Sequence, residues 1–82
     1  MYVERAPPHD EAAEEAVLGS ILLEGESILR IASFLKSEDF YRERNRWTYE
    51  ACLSLFQRGE ALNQVTVSHE LEIQERLETA GG

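Results

Sequence analysis

Apolar residues recur at helical spacing in four stretches of the chain. Ala13, Val17, Leu18, Ile21 and Leu22 draw one stripe along a predicted helix over 11–23. Asp10 stands where an N-cap belongs, and Glu11, Glu14 and Glu15 put negative charge in the opening turns, where the helix dipole favours it. Gly19 beside the stripe would let another helix approach closely. Gly25 separates this element from a second helix expected over 26–35, with Ile28, Ile31, Ala32 and Leu35 repeating at three, four and seven. Lys36-Ser37-Glu38-Asp39 reads as a polar turn, followed by Phe40 and Tyr41, two rings able to cover one end of a core. A third helix is expected over 44–58, with Tyr49, Cys52, Leu53 and Phe56 facing inward and Gly59 at a left-handed C-terminal cap.

Val65-Thr66-Val67 has the β-branched composition of a short strand, but the surrounding pattern favours a helix N-terminus. Thr66 is expected to cap and Val65 to staple inward, ahead of a fourth helix over 67–74 that buries Val67 and Leu71. Leu77 and Ala80 would anchor one further turn. At the other end, Pro7-Pro8 forbids helix locally and predicts an extended arm over 1–9. The fold class is therefore all-α, a compact bundle of four to five short helices over 10–82, with one core.

Charge narrows the function classes. Eight Lys and Arg stand against sixteen Asp and Glu, a net charge of −8. A surface of that sign repels phosphate backbones, so direct nucleic-acid binding is not expected. No apolar run is long enough to cross a membrane and no signal peptide is visible, which gives a cytoplasmic reading.

Candidate chemistry is sparse. There is no G-x-x-x-x-G-K-[ST] stretch, and the five glycines are not spaced to cradle a phosphate, so no nucleotide site and no catalytic residue is assigned. His9-Asp10 and His69-Glu70 are the histidine–acid neighbours, and neither repeats at i, i+4 as a metal pair would, so no metal site or cofactor is expected. Cys52 lies on an apolar stripe, where a thiol acts as a small hydrophobe. Six residues have a conceivable partner-binding role. Glu11, Glu14 and Glu15 offer an acidic face, Arg42 and Arg46 belong with Arg44 to a basic cluster, and Trp47 flanks the third helix's buried stripe as a half-covered anchor. Cations at a helix N-terminus work against the dipole, so the arginines lack a local stability reason; their simplest role is to neutralise Glu38, Asp39 and Glu43.

In order along the chain, Pro7-Pro8, Ala12-Ala13-Glu14-Glu15-Ala16-Val17-Leu18-Gly19-Ser20-Ile21-Leu22, Glu38-Asp39-Phe40-Tyr41, Tyr49-Glu50-Ala51 with Leu55 and Gly59, Val65-Thr66-Val67, and Leu77-Glu78 with Gly81-Gly82 form one motif set. This set resembles the N-terminal domain of DnaB-type replicative DNA helicases. The sequence departs from that family's pattern at Asn45, Thr48, Asn63 and Glu75, and Thr48 implies a looser core around the third helix. The resemblance implies a non-catalytic collar domain that supports the helicase hexamer and receives primase. ATP and magnesium would belong to the separate motor domain. The family continues past the Gly-Gly into a long helical hairpin that carries much of its subunit pairing, so the globular part alone is expected to be a monomer or weak dimer. Two alternatives fit the same residues: a free-standing acidic adaptor or inhibitor that binds primase or helicase, and a small helix-turn-helix DNA binder suggested by the Arg42–Arg46 cluster.

Overall fold

The computed structural model describes residues 10–74. Four α-helices follow one another: α1 (Glu11–Leu23), α2 (Ile28–Ala32), α3 (Glu43–Gln57) and α4 (Gln64–Ile73), with 3-10 turns at Gly25–Ser27 and Ser37–Asp39. No strand occurs among the described residues, and the chain is all-α. The expected arm over 1–9 and the turn expected at Leu77 and Ala80, together with Glu75, lie outside the described residues.

The long helices form where their stripes and caps predict. Asp10 accepts the Ala13 N–H at 3.1 Å and opens α1. Gly59 closes α3 at φ +75°, with its N–H on the Phe56 carbonyl at 3.0 Å and the Glu60 N–H on the Leu55 carbonyl at 2.9 Å. That pair of bonds is a Schellman cap, which satisfies carbonyls the helix would otherwise strand.

Two elements differ from expectation. α2 is one short helix behind a 3-10 turn rather than a helix over 26–35, because after Ala32 the N–H groups of Ser33 and Phe34 bond three residues back and the chain turns. α4 begins three residues earlier than predicted. Its N-cap is Asn63, which accepts the Thr66 N–H at 2.9 Å while the Thr66 hydroxyl accepts the Asn63 N–H at 3.0 Å. Thr66 is thus the third helical residue of a reciprocal capping box. Val65 consequently points outward, 77% exposed, and staples nothing.

α3 is the axis of the bundle, packed by α1, α2, α4 and the Ser37–Asp39 turn. Leu18, Ile21, Ile28, Phe40, Tyr49, Ala51, Cys52, Leu55, Val67 and Leu71 make the buried core. Val17, Leu22, Ile31, Leu35, Leu53 and Phe56 are partly buried against it. On α3, Tyr49 and Cys52 are buried as expected, Ala51 and Leu55 join them, and Leu53 and Phe56 are only partly covered. Burying a side chain such as Ile21 or Ile28 contributes roughly 2 kcal/mol. Of the two rings after the polar turn only Phe40 covers the core, 5.1 Å from the Tyr49 ring, and Tyr41 is exposed. Close approach falls at Gly25 rather than Gly19. A Cβ at Gly25 would meet the Leu62 Cβ at 3.0 Å, whereas one at Gly19 meets nothing within 4 Å among the described residues.

Candidate functional site

Packing α1 against α3 brings the two charged clusters together. Glu11, Glu14 and Glu15 lie in the opening turns of α1, on the face toward the start of α3. Glu14 reaches furthest in. Its carboxylate accepts the Tyr41 N–H at 2.6 Å, the Asn45 amide N–H at 2.8 Å and, at a long 3.5 Å, the Arg42 N–H. α3 has no side-chain cap of its own at Arg42, so an acid from another helix fills that place and meets the positive end of the α3 dipole. Asn45, one of the positions that depart from the helicase pattern, is buried and serves as the amide donor in this contact.

The arginines do have structural work. Arg42 pairs with Glu11, and Arg44 pairs with Glu15 at 3.2 Å. Arg46 donates from one nitrogen to the carbonyls of Phe40 at 3.1 Å and Tyr41 at 3.0 Å, holding the segment that lays Phe40 over the core. Their acidic partners come from α1, not from Glu38, Asp39 and Glu43 as sequence proximity suggested. The cation at the α3 N-terminus is thereby neutralised. Thr48 resolves its hydroxyl by donating to the Arg44 carbonyl at 2.8 Å. Trp47 is half-buried at the core's edge, as its angular position on the helix predicts. Of the six residues singled out for partner contacts, Glu11, Glu14, Glu15 and Arg42 form this clasp together with Arg44, Arg46 braces the segment just before α3, and Trp47 lies nearby on α3.

A second polar cluster was not anticipated. Glu70, 5% exposed, takes both arms of Arg58 at 2.7 and 3.3 Å and the Gln74 amide N–H at 2.8 Å, while Arg58 also donates to Glu60 at 3.1 Å. The Arg58 guanidinium holds the Glu70 carboxyl below the usual carboxylate range despite its burial. The signal was present in the sequence: Glu70 falls three residues after Val67 and beside Leu71, on the inward stripe. Its neighbour His69 faces out, 3.9 Å from Glu72. His9 lies outside the described residues.

The remaining chemistry is packing. Cys52 is fully buried, and burial pushes its thiol up to about 12. Burial also raises the Tyr49 phenol, with smaller contributions from Cys52 and Asp39, and its hydroxyl donates to the Leu35 carbonyl at 2.7 Å. No group of three potential metal ligands occurs among the described residues. Two shallow hollows lie among the described residues. One of about 370 Å³ lies on the outer face of α4 at Gln64, Val65, Ser68, His69 and Glu72, and another of about 290 Å³ lies between Gly25–Glu26 and Phe56–Leu62. Neither gathers a nucleophile and a base.

Comparison with known proteins places this helical bundle in a family. The family model described as the DnaB-like helicase N-terminal domain matches residues 6–82. The chain belongs to this family. Its DnaB-like fold superposes on the crystal structure of the N-terminal domain of DnaB helicase from Mycobacterium tuberculosis with a TM-score of 0.89 and 42% identity, over 94% of this chain and 55% of that one. The replicative DNA helicase DnaB of Mycobacterium leprae is 44% identical over 95% of this chain, and that of Geobacillus stearothermophilus is 39% identical over the whole of this chain. The chain spans only 13% and 18% of those two helicases. The matched residues 6–82 correspond to the DnaB-like N-terminal domain. No helix among the described residues is long and apolar enough to cross a membrane.

Proposed function

We propose that this chain acts as the non-catalytic collar of a cytoplasmic replicative DNA helicase, supporting assembly of the ring and receiving primase. The observation that carries the reading is the end-to-end match of sequence and fold to a DnaB N-terminal domain, in a segment with no phosphate-binding loop. ATP and magnesium would be handled by the motor domain of the parent helicase, and contacts would be made through helix faces. Glu11, Glu15, Arg42 and Trp47, at the rim of the α1–α3 clasp, are the proposed partner contacts, with Glu14 and Arg46 holding the rim in shape.

Calorimetric titration of the chain with the primase of the same organism tests this reading. Saturable binding, weakened by replacing Glu15, Arg42 and Trp47 together, is the expected result. No heat of binding at concentrations in the tens of micromolar, with the chain folded by circular dichroism, would overturn primase docking. If the chain instead dissolves preformed helicase rings at stoichiometric amounts, it is an inhibitor that shares the collar's fold.

A further inference from the structure

The charge of the molecule is unevenly spent. Of the six described cations, Arg42, Arg44 and Arg58 are ion-paired and Arg46 is bonded to two carbonyls. Arg30 and Lys36 have no ion-pair partner among the described residues. Both lie in residues 27–37, a stretch without an acid in a chain that has sixteen.

Burial divides this stretch into two sides. Ile28, Ile31 and Leu35 pack against the core, and Leu29, Arg30, Ser33 and Phe34, from α2 and the turn that ends it, are exposed. Leu29 is 61% exposed and Phe34 73% exposed, while Arg30 and Lys36 are exposed beside them. Large apolar side chains flanked by cations without an acidic partner make a surface complementary to a ligand that is both acidic and apolar.

We propose that the outer face of α2 and the turn after it is a docking surface for a short peptide segment in which carboxylates alternate with apolar side chains. One guanidinium, Arg30, and one ammonium, Lys36, are enough to pair two carboxylates locally, and Leu29 and Phe34 take the apolar residues between them. Nucleic acid and anionic membranes carry the same sign of charge but extend well beyond the patch, where the net charge of −8 repels them. The surface is distinct from the α1–α3 clasp, and its test does not depend on primase.

The probe is a short fluorescein-labelled peptide alternating Glu with Leu and Phe, titrated into the chain and followed by anisotropy. The expected result is saturable binding that weakens about tenfold, or about 1.4 kcal/mol, in Phe34→Ser and again in the double variant Arg30→Glu, Lys36→Glu. All three side chains are exposed, so folding is retained and is checked by circular dichroism. A matched peptide with Gln in place of Glu is expected to bind at least as weakly as the wild-type peptide binds the charge-reversed protein. Equal binding of the Gln peptide, no binding of the Glu peptide, or no effect of either variant would overturn the proposal. So would tighter binding of a single-stranded oligonucleotide or phosphatidylglycerol vesicles. Sedimentation that shows self-association abolished by the same variants would assign the face to a second copy of the chain instead.

Discussion

Ser27 is the one described residue with a fully buried, unpartnered side-chain oxygen. It opens α2 with its N–H on the Glu24 carbonyl at 2.9 Å, and its hydroxyl gains nothing in return for desolvation. Ser27→Ala is therefore expected to leave stability unchanged or raise it by about 1 kcal/mol, read by urea unfolding. A loss of that size would mean the hydroxyl has an acceptor after all. Cys52 makes the opposite case of a polar atom that costs nothing, since a thiol is content in an apolar site. With its thiol pushed up to about 12 and its surface covered, it should react with an aromatic disulfide reagent far more slowly in the native chain than in denaturant. Fast labelling of the folded protein would show that α3 opens readily.

At the scale of elements, the α1–α3 clasp separates an interior contact from surface ones. Glu14 answers backbone and amide donors that have few other acceptors, so Glu14→Ala is expected to cost about 2 kcal/mol in thermal or chemical unfolding. Arg42→Ala removes only an exposed ion pair and should cost no more than about 0.5 kcal/mol. Equal costs would place the stabilisation in the ion pairs and not in the cap. α3 and α4 are joined by a different device, with a pH signature. Because Arg58 depresses the Glu70 carboxyl, that carboxylate's contribution is fully present above the ordinary carboxylate range and is lost as pH falls through its lowered value. The melting temperature should thus fall more steeply below about pH 4.5 in the wild type than in Glu70→Gln, whose side chain does not titrate. What sequence reading reached and missed follows the same division. α1 and α3 were legible because stripe and caps are local, down to Asp10 and Gly59. The start of α4 was not, because Thr66 suits both the cap and the third position of a capping box, and only the reciprocal bonds with Asn63 decide between them. Glu14 to Asn45 and Arg58 to Glu70 join residues 31 and 12 apart, and no local pattern specifies which helices will face each other.

For the whole molecule the governing quantity is the surplus of acid. A net charge of −8 on 82 residues repels itself in the compact state, and folding must overcome that repulsion with a single small core. The cross-helix pairs Glu11–Arg42 and Glu15–Arg44 pull the other way, but both are exposed and shielded by solvent. The two contributions respond oppositely to salt. Raising sodium chloride from about 10 to about 150 mM shortens the screening length from about 30 to about 8 Å, which weakens long-range repulsion more than contacts at bonding distance. The melting temperature should rise, by a few degrees, and the rise should shrink in a variant with exposed Glu24 and Glu26 replaced by Gln. A fall with salt would mean that the ion pairs outweigh the net charge, and Arg44→Gln would then remove most of the dependence. The same repulsion bears on assembly. An acidic domain of this size pairs weakly with itself through charge alone, so any contact between copies of the chain must rest on apolar helix faces. Its self-association, if seen by sedimentation, should therefore strengthen as salt is added.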